Sequence, residues 1–213
     1  MLPLRAHAGD ISGALALSSQ LIDRGQPITP ATPIVQGNLA WTSSAGWAFG
    51  VAGSARINAP GGHFVEATAQ AARYWSLSGD WSMQASALYY KYPRRWRFFD
   101  RTEVGLHWTW RDVLTFGVSA TSTIHDDSGH LREAADATFH WPLTRHLSLS
   151  AGAGVARAFV APYRPYRYGQ AGLAWTQGPW RVEVLRVATD QEYKYRQAYP
   201  TLQHWVATLQ WSF

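Results

Sequence analysis

"WVATLQWSF", residues 205–213, alternates with a period of two. Trp205, Ala207, Leu209, Trp211 and Phe213 share one side, and Val206, Thr208, Gln210 and Ser212 share the other. That pattern describes a strand with one apolar and one largely polar face. Something must cover the apolar side, either a second packed sheet or lipid.

The same alternation recurs upstream. It predicts strands near 11–22, 34–42, 47–57, 64–77, 81–92, 101–111, 113–124, 133–143, 146–159, 167–176, 180–189 and 202–213. Most exceed the roughly 5–6 residues of an ordinary strand and suit the roughly 9–11 that a tilted strand needs to cross a bilayer. The connections alternate in length as well. "TSSAG" (42–46), "SGD" (78–80), "RD" (111–112), "LTRH" (143–146) and "QGP" (177–179) are tight turns. Between them run longer polar segments, among them "DRGQPITPATP", "PRRWRFFD" and "DQEYKYRQAYP". Short turns at one end and long loops at the other predict an all-β transmembrane antiparallel up-and-down β-barrel of about 12 strands. With an even number of strands, both termini lie on the short-turn, periplasmic side.

Composition agrees. Of 213 residues, 46% are hydrophobic and 15% charged, with 12 Trp, 10 Tyr and no Cys. This is too aromatic for a disordered chain and excludes disulfides and thiolate metal sites. No apolar run reaches the roughly 18 residues of a transmembrane helix. Trp41, Trp47, Trp75, Trp81, Trp108, Trp110, Trp141, Trp175, Trp180 and Trp211 gather near the short turns, whereas Tyr163, Tyr166, Tyr168, Tyr193, Tyr195 and Tyr199 gather near the long loops. Aromatic girdles mark the two membrane boundaries. Ala6-His7-Ala8 matches the tail of a secretory cleavage site, so residues 1–9 are expected to be a signal-peptide remnant and 10–213 the barrel.

The stretches "ISGALALSSQLIDRG", "PIVQGNLAW", "LYYKYP" and "RTEVGL", in that order, resemble the TorF-like (Gcw_chp) family of outer-membrane porins. The resemblance implies a passive channel for small polar solutes or ions in the bacterial outer membrane. It also implies that the terminal aromatic, Phe213, is read by the outer-membrane assembly machinery. In "LIDRG", Asp23 stands where the resemblance implies an aromatic residue.

Parity assigns the channel lining to Arg56, Glu66, Gln70, Tyr90, Glu103, His107, Arg111, Asp136, His140, Arg181, Glu183 and His204, with Asn38, Gln170 and Gln210 beside them. Arg56 and Glu66 should be neighbours across one hairpin, and buried charges require partners. Arg73 breaks parity and would face lipid unless it snorkels or a bulge shifts the register. Arg94, Arg95, Arg97, Arg164, Arg167, Lys194 and Arg196 form an extracellular basic rim suited to lipopolysaccharide phosphates. That rim predicts a narrow, weakly selective channel with mild anion preference at low salt, fading as the rim is screened.

Other chemistries find less support. "HDDSGH" (125–130) has metal-ligand residue types without a defining spacing, and Asp-Asp-Ser-Gly is ordinary turn chemistry. His146 with Ser148 and Ser150 is the nearest thing to a nucleophile and base, but no orienting acid accompanies it. No cofactor, metal or nucleic-acid partner is expected, despite a net charge of +5. A lipid-acting barrel enzyme and a plugged structural or lipopolysaccharide-binding barrel remain the alternatives to a channel.

Overall fold

The computed structural model describes residues 9–57, 63–93, 99–124, 131–158, 164–190 and 201–213. Residues 1–8, most of the expected signal remnant, lie outside these.

Twelve antiparallel strands close into a barrel. They are β1 (Asp10–Ser18), β4 (Ile34–Thr42), β5 (Trp47–Arg56), β6 (His63–Ser76), β7 (Trp81–Lys91), β8 (Arg101–Trp110), β9 (Leu114–Thr123), β10 (Arg132–Pro142), β11 (Leu147–Arg157), β12 (Pro165–Gln177), β13 (Trp180–Thr189) and β14 (Trp205–Ser212). Each pairs with its chain neighbour, and β1 closes on β14 with Leu15 opposite Trp211 and Leu17 opposite Leu209. The seam continues beyond β14, because Gly13 and Phe213 exchange both backbone hydrogen bonds at 2.9 Å. Closure leaves no free edge to aggregate. Gly13 lets the Phe213 ring lie over the seam, since a Cβ there would stand 2.5 Å from the ring and displace it.

The opening stretch thus has its cover. Leu39, Phe49, Val51, Leu106, Phe116, Val118, Leu173, Val182, Val184 and Leu209 are exposed on the outer wall. Phe139 and Leu149 share their parity on β10 and β11. A continuous apolar exterior of this extent is a lipid-facing surface. The fully buried side chains are mostly polar ones turned inward, including Arg101, Gln20, Thr29, Thr121 and Asp100. The barrel is therefore apolar outside and polar inside.

At the short-turn end Trp41, Trp47, Trp75, Trp81, Trp141, Trp175, Trp180 and Trp211 remain exposed. Arg73 faces outward among them, its guanidinium 5.4 Å from the Trp47 ring centre and 5.6 Å from that of Trp75. It keeps its outward place in the alternation by lying against these aromatic faces. The bulge of β6 lies elsewhere, where Ser54 pairs with Glu66 but Ala55 pairs with Phe64. The tyrosines differ from expectation. Tyr166 is buried on the inner face and Tyr168 lies half-buried two residues on, while Tyr163, Tyr193, Tyr195 and Tyr199 lie outside the described residues.

Candidate functional site

The segment joining β1 to β4 folds back as a small hairpin, β2 (Ile22–Asp23) and β3 (Gln26–Pro27). Its two-residue turn is Arg24-Gly25, with φ of 47° and 73°. Two successive positive φ values are the signature of a type I′ turn, which glycine enters freely and arginine at a cost of roughly 1–2 kcal/mol. Gly25 is also pressed against the wall, since a Cβ would lie 2.7 Å from Tyr168 Cβ.

Contacts across the lumen offset the cost of the Arg24 conformation. Arg24 donates to both carboxylate oxygens of Glu103 on β8, at 2.5 and 3.3 Å, and to Ser119 Oγ on β9 at 2.9 Å. Arg101, at the head of β8, donates to Asp23 at 2.7 Å while its guanidinium lies 4.1 Å from the Tyr90 ring centre. Both ion pairs are largely shielded from water, so breaking either leaves a poorly solvated charge. β8 and β9 lie on the far side of the barrel from β1, so these bonds hold the hairpin across the lumen.

The base of the hairpin is tied equally firmly. Gln20 donates to the carbonyls of Thr29 (2.7 Å) and Thr201 (2.8 Å), and its own carbonyl accepts from the Gln203 N–H at 2.8 Å. Ile28 N–H donates to Leu21 O at 2.9 Å. Around the hairpin runs a belt of further polar contacts. Tyr92 hydroxyl donates to Glu66, Lys91 and the Tyr92 N–H donate to Asp100, and Thr121 donates to Glu103 at 3.3 Å.

The hairpin narrows the barrel without filling it. A cavity of about 450 Å³ lies against its tip, lined by Arg24, His107, Asp136, Tyr168 and Gln170 among others. A second, of about 290 Å³, is lined by Asn38, Glu66 and Gln210. Both cavities touch Gln36 and Thr208.

The predicted lining residues are distributed unevenly. Glu66, Gln70, Tyr90, Glu103, His107, Asp136, Gln170 and Gln210 share the inner rows of the sheet, and Gln70 and Gln170 are exposed there. His140 sits on the same inner row of β10, and Arg181 and Glu183 pair along β13 at 2.8 Å. His204 precedes β14 at the long-loop end, 3.3 Å from Val187 O. Arg56 occupies the inner row at the end of β5, opposite His63. The expected Arg56–Glu66 pair does not form, because the β6 bulge displaces the register and Tyr92 engages Glu66.

Arg111 is a correction. It lies in the turn after β8 with φ 49°, so its side chain leaves the inner row and pairs at the rim with Asp80 at 2.9 Å. Its guanidinium lies 5.1 Å from the Trp110 ring centre. That partnership holds the exposed Asp80 carboxyl below the usual carboxylate range, chiefly through the hydrogen bond.

Of the basic rim, Arg94, Arg95, Arg97, Lys194 and Arg196 lie outside the described residues. Arg164 is exposed, and Arg167 alternates with the inward Tyr166 and Tyr168, which places it on the outer wall. The "HDDSGH" stretch is also outside them. His146 and Ser148 are directed to separate backbone carbonyls, of Thr176 (2.9 Å) and Ala174 (3.3 Å), and do not converge on each other.

Sequence reasoning missed Arg101, Arg132, Tyr92 and the hairpin as a lumenal element. Parity alone carried the signal for the first three, since Arg101 shares the row of Glu103, Arg132 that of Asp136, and Tyr92 that of Tyr90. The hairpin's signal was Arg24-Gly25 between short apolar runs.

No family model matches the chain, and no curated protein matches it. Solved structures do. A NanC porin structure superposes with a TM-score of 0.58 at 10% identity, covering 96% of this chain and 99% of the other. A KdgM porin gives 0.56 at 7% identity over 95% and 99%. A KdgM porin in complex with disordered oligogalacturonate gives 0.55 at 8% identity over 95% and 99%. The fold is that of these porins.

Proposed function

We propose that this chain is a passive channel of the bacterial outer membrane for small polar solutes or ions. The observation that carries the proposal is the Arg24-Gly25 hairpin, held across a polar lumen with two cavities beside it that share Gln36 and Thr208 in their linings. A barrel serving only as a structural wall has no need of a water-accessible inner face. Polar side chains flanking a constriction are the device by which pores select.

The inner rows supply the lining in this proposal: Glu66, Gln70, Tyr90, Glu103, His107, Asp136, His140, Arg181 and Glu183, with Arg56 and His204 toward the long loops. Arg24 and Asp23 set the narrowest section. The ordered stretches quoted above support assignment to the TorF-like family. Lipopolysaccharide is the partner at the long-loop end, and the assembly machinery reads Phe213. The fold shared with a porin that binds oligogalacturonate supports polar solutes as cargo.

The test is single-channel recording in planar bilayers of the wild type and the D23A/R24A variant. Freeing the hairpin should raise conductance by roughly two-fold or more, because the constriction dominates the resistance of a narrow pore. Absence of current in both proteins would refute the channel and support the plugged barrel.

A further inference from the structure

We infer that Asp136 makes the cavity beside the hairpin a cation-selecting site, an inference that rests on the channel proposed above. Asp23 is engaged by Arg101 at 2.7 Å and Arg24 by Glu103 at 2.5 Å, so the hairpin presents little net charge to a passing solute. The other ionisable side chains lining the cavity are His107, Asp136 and the Tyr168 phenol, of which Asp136 is the only carboxyl. Asp136 has no hydrogen bond or ion pair among the described residues and is only partly covered.

The site is open and shaped. Asp136 and His107 converge over Gly117, where an added Cβ would lie 3.1 Å from Asp136 Oδ1 and 3.0 Å from His107 Nε2. Glycine leaves room for both side chains to lie against the wall at this point. His107 Nδ1 is buried without a hydrogen-bond partner, and Gln170 and Tyr168 border the same space. A small cation, hydrated or an alkylammonium, meets here a carboxylate beside imidazole, amide and phenol side chains.

The competing positive groups are placed differently. Arg132, on the row of Asp136 but nearer the long loops, is buried beside Thr123 and does not line this cavity. Arg56 ends β5 and does not line this cavity. A charge at a constriction acts through a short, weakly screened path, whereas rim charges are screened beyond about 8 Å at physiological salt. Asp136 therefore outweighs a basic rim, and the mild anion preference expected from the loops gives way to cation preference.

The experiment measures the zero-current potential in a potassium chloride gradient for wild type, D136N and D136K, each first shown to insert as a folded barrel. Wild type should favour potassium several-fold, at high as well as low salt. D136N should lower that ratio at least about two-fold, and D136K should reverse its sign. Because D136N is nearly isosteric and D136K is not, agreement in direction separates charge from shape. Anion preference in the wild type, or an unchanged potential in D136N, would overturn the inference while leaving the channel intact. Absence of current in the wild type and in D23A/R24A alike would overturn both.

Discussion

Arg111 and Asp80 show how one backbone angle redirects a side chain. Alternation alone sends Arg111 inward, yet its φ of 49° turns it toward Asp80 on the neighbouring turn. The pair has a pH signature. Asp80 has its pKa lowered in the folded barrel, so its contribution is present above the unfolded value of about 4 and lost as pH falls through the lower folded value. Both groups lie in water, so the effect should be small and screened by salt. Thermal unfolding in detergent between pH 5 and pH 2, values chosen to span about one carboxylate titration, should show a wild-type-specific acid loss. An R111A variant should lose that component, and identical pH profiles for the two proteins would show that the pair contributes nothing.

The strands as elements were legible because a two-residue period and aromatic turns are local signals. All twelve barrel strands fall where alternation predicted them. The hairpin was not legible as a lumenal element, although its turn chemistry was visible. Where it docks depends on Glu103, Ser119 and Tyr168, which lie far along the chain and carry no local mark of their partner. Bulges are similarly silent, and the one in β6 displaced the Arg56–Glu66 pair. The hairpin's dependence on its tip can be tested with G25V. A side chain there is strained by φ 73° and collides with Tyr168. The strain, roughly 1–2 kcal/mol for the left-handed conformation alone, should displace the tip and raise conductance toward that of D23A/R24A. Wild-type conductance in G25V would show that the tip does not set the constriction.

At the scale of the whole molecule, closure depends on a short seam. Phe213 completes it through two backbone hydrogen bonds to Gly13, with its ring 5.0 Å from that of Trp211. Deleting Phe213 removes these contacts and roughly 1.5–3 kcal/mol of aromatic burial at most, since the ring remains well exposed. The yield of membrane-inserted barrel should nevertheless fall sharply, because the residue is proposed also as an assembly signal. Equal yields from deleted and intact chains, measured by heat-modifiable migration, would remove that role.

The Gln20 clamp ties the timing of pore narrowing to the completion of the wall. Its partners Thr201 and Gln203 stand 181 and 183 residues away, on the approach to β14. Contacts so distant in sequence form only once the intervening chain is ordered, since the entropy of closing so long a loop must be met first. A folding chain whose last strand has not docked lacks both its seam and one anchor of its hairpin. For the proposed channel the expected course of maturation is from leaky to tight, so incompletely zipped barrels lacking Phe213 should show larger, noisier currents than the finished protein.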